Sequence, residues 1–90
     1  MKNFTTLQHS LRKQGLNLQQ LVILQSLPKS MTELSKLLQS STANATGLID
    51  HLESEHLVSR SHDKADRRKI TVHPTDKAKE VLQTIEGEVS

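Results

Sequence analysis

Five cations fall within residues 60–69: Arg60, Lys64, Arg67, Arg68 and Lys69, with Asp63 and Asp66 set among them. Arginine guanidinium and lysine ammonium groups gathered this closely bind phosphate, and a carboxylate in their midst can hold one arginine in place through a charge-assisted hydrogen bond. Two β-prone runs flank the group, Leu57-Val58-Ser59-Arg60 and Ile70-Thr71-Val72-His73. The pattern predicts a β-hairpin that carries its charge at the tip. The bland alternative is an ordinary solvated loop, to which a basic hairpin on its own is equally suited.

Other chemistries find less support. His9, His51, His56, His62 and His73 raise the question of a metal site. The His51 and His56 spacing is i, i+5, not the i, i+4 that sets two imidazoles on one helical face, so isolated surface histidines are expected. The absence of cysteine removes disulfides and thiolate ligands. There are no paired carboxylates, nucleophile elbow or glycine-rich phosphate loop, so neither catalysis nor a cofactor is expected.

The net charge of +2 is small but unevenly placed. Residues 1–29 carry Lys2, Arg12, Lys13 and Lys29 and no acid, whereas residues 30–58 set Lys36 against Glu33, Asp50, Glu53 and Glu55. Positive charge thus gathers in the amino-terminal arm and the hairpin, as a duplex-binding surface requires. Apolar residues make up 33% of the 90-residue chain, so residues 1–90 are expected to form a single domain with a thin core. No apolar run exceeds Leu21-Val22-Ile23-Leu24, which is too short for a membrane span or signal peptide and implies a cytoplasmic protein.

Periodicity supplies the elements that position the hairpin. A short helix from Thr5 or Thr6 to Gln14 carries Phe4, Leu7 and Leu11 on one side and meets Gly15 at its end. Asn17 can cap a second helix through Leu27, whose apolar residues run around much of its circumference; it should be the most buried. Ser30-Met31-Thr32-Glu33 has the form of a capping box, starting a third helix with Met31, Leu34, Leu37 and Leu38 inward. After Gln39-Ser40-Ser41, Ser41 or Thr42 caps a fourth helix to about Glu55, with Ala45, Leu48, Ile49 and Leu52 on its apolar face. Thr75, following Pro74, caps a last helix with Ala78, Val81, Leu82 and Ile85 inward. The fold class is mainly α with a small β-hairpin, in the order α-α-α-α-β-β-α, with room for a strand of one or two residues at Ser30-Met31. Two helices joined by a short turn and followed by a hairpin make a winged helix-turn-helix.

On the fourth helix, Ala43, Gly47, Asp50 and Ser54 lie opposite the apolar stripe, flanked by Asn44, Thr46 and His51. No Lys or Arg is among them, which excludes arginine reading of guanine from this helix. Asn44 suits a bidentate contact to adenine, and the methyl groups of Thr46 and Ala43 suit thymine methyls, giving an A·T-leaning site. Ser41 and Thr42 beside the helix start suit a phosphate. Lys64, Arg67, Arg68 and Lys69 in the wing suit the minor groove or phosphates. Asp50 is better matched to a local base than to a cytosine amine. With Phe4 as the only aromatic residue, stacking platforms for unpaired bases are missing, which favours double-stranded DNA over single strands or RNA.

Residues 17–85 resemble the DNA-binding core of the MarR family of winged helix-turn-helix transcriptional regulators. The resemblance runs through Met31-Thr32-Glu33-Leu34-Ser35-Lys36-Leu37-Leu38, Ala45-Thr46-Gly47-Leu48-Ile49-Asp50-His51-Leu52-Glu53, Leu57-Val58-Ser59-Arg60 and Asp63-Lys64-Ala65-Asp66-Arg67-Arg68, closing on Thr75. It implies a sequence-specific double-stranded-DNA-binding regulator with helix 41–55 in the major groove and wing 61–70 on the minor groove or phosphates. Arg68 matches the family's Asp-x-Arg and takes a partly structural role, which leaves Arg67 as the better contact residue. His56 stands where the family commonly has glycine in a left-handed conformation. The first and last helices, which in the family build the dimer and often a small-molecule pocket, are short here, so both a dimer of that kind and an effector are in question.

A homodimer on a pseudo-palindromic site would use Phe4, Leu7, Leu11, Val81 and Ile85 of the terminal helices; equally, these residues could close a monomer's core. The alternative function is a winged-helix protein–protein interaction module without specific DNA binding, which an acidic, arginine-free recognition helix would suit.

Overall fold

The computed structural model describes residues 4–89. Along the chain run α1 (Phe4–Lys13), α2 (Leu18–Ser26), β1 (Lys29–Ser30), α3 (Met31–Leu37), α4 (Thr42–Ser54), β2 (Val58–His62), β3 (Ile70–Pro74) and α5 (Asp76–Val89). The expected helices and hairpin are all present. The short extra strand falls at Lys29–Ser30, one residue earlier than expected, because Ser30 is already the N-cap and Met31 the first residue of α3. It adds to the hairpin as an edge, giving a three-stranded antiparallel sheet in the order β1-β3-β2. Lys29 pairs with Val72 and Ser30 with Thr71 on one side of β3, while Val58 pairs with Pro74 and His62 with Ile70 on the other.

The helix boundaries follow from capping. Ser30 and Glu33 form the anticipated capping box, each side chain accepting from the other's backbone N–H at 3.1 Å. That bond holds the Glu33 carboxyl below the usual carboxylate range, with Lys29 and Lys36 contributing less. Asn17 and Gln20 make a second box at the start of α2, with N–H···O distances of 2.8 and 3.1 Å. At their other ends α1, α3 and α4 each close in a Schellman turn, in which two N–H groups beyond the helix reach back to its last carbonyls. Gly15, Gln39 and His56 occupy the left-handed position, with φ of 72°, 51° and 61°. The sixth-residue bonds are Leu16 N–H to Leu11 O (2.9 Å), Ser40 N–H to Ser35 O (3.1 Å) and Leu57 N–H to Leu52 O (2.9 Å).

His56 therefore adopts the expected backbone without the residue that does so at least cost. A left-handed L-residue is strained by about 1–2 kcal/mol, which glycine does not incur. His56→Gly is expected to raise stability by about 1 kcal/mol, part of that strain being offset by the greater freedom glycine has in the unfolded chain. A urea melt should show a higher midpoint at unchanged slope.

One core joins these elements. Ile23, Leu34, Ala45, Ile49, Leu52, Val72 and Ala78 are wholly inaccessible, and Leu11, Leu57, Val58 and Ile85 nearly so. Leu37, expected to face inward, is 44% exposed, and Leu18, in the helix expected to be apolar around much of its circumference, is 45% exposed. The inward stripe of α3 passes through Met31, Leu34, Ser35 and Leu38 and leaves Leu37 on its flank. α2 buries one side, including Gln20, rather than its whole circumference. Of the residues considered for a dimer, Leu11 and Ile85 lie in the chain's own core, Leu7 and Val81 pack on its edge, and Phe4 stays 56% exposed.

Candidate nucleic-acid interface

α4 begins at Ser41, whose hydroxyl accepts from the Asn44 N–H at 3.1 Å. The Asn44 amide in turn donates to Ser40 Oγ at 2.7 Å, an anchor across the helix start that, among the described residues, leaves Oδ1 and one amide proton unengaged. Thr42, Ala43, Asn44 and Gly47 are exposed along the same half of the helix. Thr46 is half-buried, its hydroxyl donating to Thr42 O at 2.8 Å, so its methyl is the group left for other contacts. Gly47 faces open space: beyond its chain neighbours and the backbone of its own helix, no described atom lies within 4 Å of where a β-carbon would sit. Folding does not require a glycine at this helical position, where it is less favourable than alanine by about 1 kcal/mol. Gly47→Ala is expected to stabilise the fold by that order, readable as a rise in thermal midpoint.

The far end of α4 is tied down. Thr75 Oγ1 donates to His56 O at 2.7 Å and accepts from the Ala78 N–H at 3.2 Å, while Lys77 Nζ donates to Glu55 O at 2.8 Å. The His51 ring Nε2 lies 3.2 Å from Gly15 O, joining α4 to the turn between α1 and α2. These contacts fix the helix so that its amino-terminal half is the outward part.

The hairpin loop is built by its two aspartates. Asp63 Oδ1 accepts from the Ala65 N–H at 2.7 Å, and Asp63 and Asp66 bond Lys69 through the backbone, both at 3.0 Å. Asp66 accepts the backbone N–H and the Nε of Arg68 at 3.0 and 3.1 Å. Hydrogen bonds from Arg68 hold the Asp66 carboxyl below its ordinary range. Because the folded group is the stronger acid, its contribution is complete at neutral pH and is lost only as pH falls through that lowered value. His62 Nδ1, 2.8 Å from Arg67 O, closes the loop from the strand side. Among the described residues, the side chains of Lys64, Arg67 and Lys69 form no ion pair, and all three are exposed.

Of the sequence-selected residues, Thr42, Thr46, Arg68 and Lys69 line one open cleft of about 930 Å³, whereas Ser41, Ala43, Asn44 and Gly47 lie outside its lining. Thr42 and Thr46 form one wall, and Arg68 and Lys69 the other. Lys64 and Arg67 border a separate notch with His62 and Asp63, so the loop splits its cations between two faces. Arg60 also lines this cleft, but its guanidinium is already engaged: it bonds Asp50 and lies 3.6 Å from Glu53, both on α4. Asp50 is therefore engaged by a local base, as its surroundings in sequence suggested. No residue-type signal pointed to Ser40 or set Arg60 apart from the other cations of the hairpin, since each acts through a partner four or more positions away. Among the described residues no group of three or more His, Cys, Asp or Glu is placed to hold a metal ion, and no helix is long and apolar enough to cross a membrane.

Comparison with known proteins matches residues 16–70, from the α1–α2 turn through the wing, to the MarR family model. The chain belongs to the MarR family. It is 35% identical over 71 residues to the HTH-type transcriptional repressor MdtR of Bacillus subtilis, a match spanning 74% of this chain and 46% of that one. An uncharacterised HTH-type regulator of the same organism, YfiV, is 36% identical over 53 residues, 59% of this chain and 33% of that protein. This MarR-family chain hence spans less than half the length of the curated relatives it matches. In three dimensions it superimposes on the transcriptional regulator Tm0710 of Thermotoga maritima with a TM-score of 0.85 and 33% identity, covering 93% of this chain and 62% of that one. The winged-helix arrangement of helices and hairpin is common to both.

Proposed function

We propose that residues 1–90 act as one duplex-DNA-binding domain of a cytoplasmic transcriptional regulator. α4 enters the major groove, and the loop between β2 and β3 reaches the minor groove or the flanking phosphates. The supporting observation is the contrast between α4 and the wing: a cation-free, exposed helix face of Ala43, Asn44 and Gly47, and a loop whose exposed Lys64, Arg67 and Lys69 form no ion pair among the described residues. The helix face supplies hydrogen bonds and methyl contacts, and the loop supplies phosphate affinity. Ser41 and Thr42 take a phosphate at the helix start. A solved complex of the Staphylococcus aureus regulator MepR with DNA shares this fold, with a TM-score of 0.86 at 18% identity, covering 92% of this chain and 72% of that one.

A second part of the proposal is a homodimer. One recognition helix and one wing bury little surface alone, and two copies spaced by one turn of duplex read a symmetric site. Phe4 and Leu18 offer exposed apolar surface near the terminal helices for that contact. The test is selection of bound sites from randomised duplex, together with a mass measurement of the free protein. An A·T-rich site with twofold symmetry and a dimeric mass support both parts. An asymmetric site with a monomeric mass removes the dimer, and no enrichment over random sequence leaves the protein-interaction module as the reading.

A further inference from the structure

Arg60 stands apart from the other cations of the hairpin. It lies in strand β2, not in the loop, and shares a strand face with Val58, which is buried in the core. Its side chain is only 22% exposed and bridges Asp50 and Glu53, one turn apart on α4. The Arg60 Nε is buried without a hydrogen-bond partner, so the guanidinium is held here by its two carboxylates at a cost in solvation. Among the described residues this is the only polar side-chain link between α4 and the strands of the hairpin.

α4 carries Asp50 and Glu53 and no Lys or Arg. A helix of that charge entering a groove lined by phosphates meets repulsion from both carboxylates, whose side chains are 60% and 48% exposed. We infer that Arg60 is a positioning residue for DNA binding: it screens Asp50 and Glu53 and clamps the wing onto α4, without itself touching the duplex. The inference rests on the proposed binding of duplex DNA by this chain. It assigns the two acids of the recognition helix a specific counter-charge, and it sets the angle between helix and wing through one side chain.

A double-mutant cycle separates this from direct phosphate contact. Binding of a labelled random-sequence duplex of about 30 base pairs, long enough for two half-sites, is measured at about 0.1 M salt. The four proteins are the wild type, Arg60→Ala, Asp50→Asn with Glu53→Gln, and the triple variant. Arg60→Ala should weaken binding about tenfold in the wild-type background and leave it unchanged, within about twofold, in the amide background. Equal losses in both backgrounds identify Arg60 as a DNA contact and overturn the inference, as does the absence of a loss in either. If the wild type itself fails to bind, the DNA-binding reading falls and the inference with it; if it binds and the cycle is additive, only the inference falls. Thermal melts accompany each variant, and Arg60→Gln replaces Arg60→Ala should the latter not fold, with the same outcomes deciding.

Discussion

Replacing Lys64, Arg67 and Lys69 together by alanine is expected to weaken duplex binding by about two to three orders of magnitude at 0.1 M salt, with thermal stability almost unchanged. Each phosphate neutralised contributes about 0.9 to the slope of log K against log salt, which at about 0.1 M salt is nearly a factor of ten per contact. The three side chains are exposed and form no ion pair among the described residues, so their removal leaves no buried acid behind. Surface substitutions of that kind change stability by only about 0.5 kcal/mol. Arg68 is left in place deliberately, since its bonds to Asp66 shape the loop. Anisotropy titrations give the affinity and circular dichroism the melt. A loss under tenfold would show that the wing contributes little to binding.

The largest effect on stability is expected from Leu52→Ala. Leu52 is fully buried on the inner face of α4, and its carbonyl receives the Leu57 N–H that closes the helix. Truncating such a leucine removes its transfer energy and leaves a cavity, together about 3 kcal/mol. For a domain of this size that lowers the thermal midpoint by roughly 15 °C. With a thin core and a total stability on the order of 5–15 kcal/mol, the variant should be partly unfolded at physiological temperature. An unchanged melt would mean that α4 is held chiefly by its polar ties at Thr75 and Lys77 rather than by core packing.

Much of this architecture is legible in residue types because the decisive interactions are local. Ser30 and Glu33 announce a capping box within four residues, Gly15 a helix end, and Pro74-Thr75 the change from strand to helix. The Asp66–Arg68 pair is two residues apart and equally readable. What escaped sequence reasoning depends on non-local packing or on a residue with no special propensity. Gln39 takes a left-handed conformation that its type does not signal. Leu18 and Leu37 fit an apolar pattern, yet both are exposed, Leu37 because the inward stripe of α3 runs through Met31, Leu34, Ser35 and Leu38. Arg60 reads as one more cation of the wing, and only the approach of β2 to α4 turns it toward Asp50 and Glu53. The Ser40–Asn44 bond likewise needs the Schellman turn at Gln39 to bring its partners together. Consequently the loop cations are visible in sequence, whereas the charge balance of the helix beside them is not.

Under the proposed function the wing loop, rather than α4, supplies the electrostatic part of DNA affinity. The most direct test is the salt dependence of duplex binding for the wild type and for Arg67→Ala. If Arg67 neutralises a phosphate, the slope of log K against log salt should be shallower by about 0.9 in the variant, and affinities should fall evenly across unrelated sequences. An identical slope for the two proteins would show that Arg67 neutralises no phosphate and that the wing does not carry this part of the affinity.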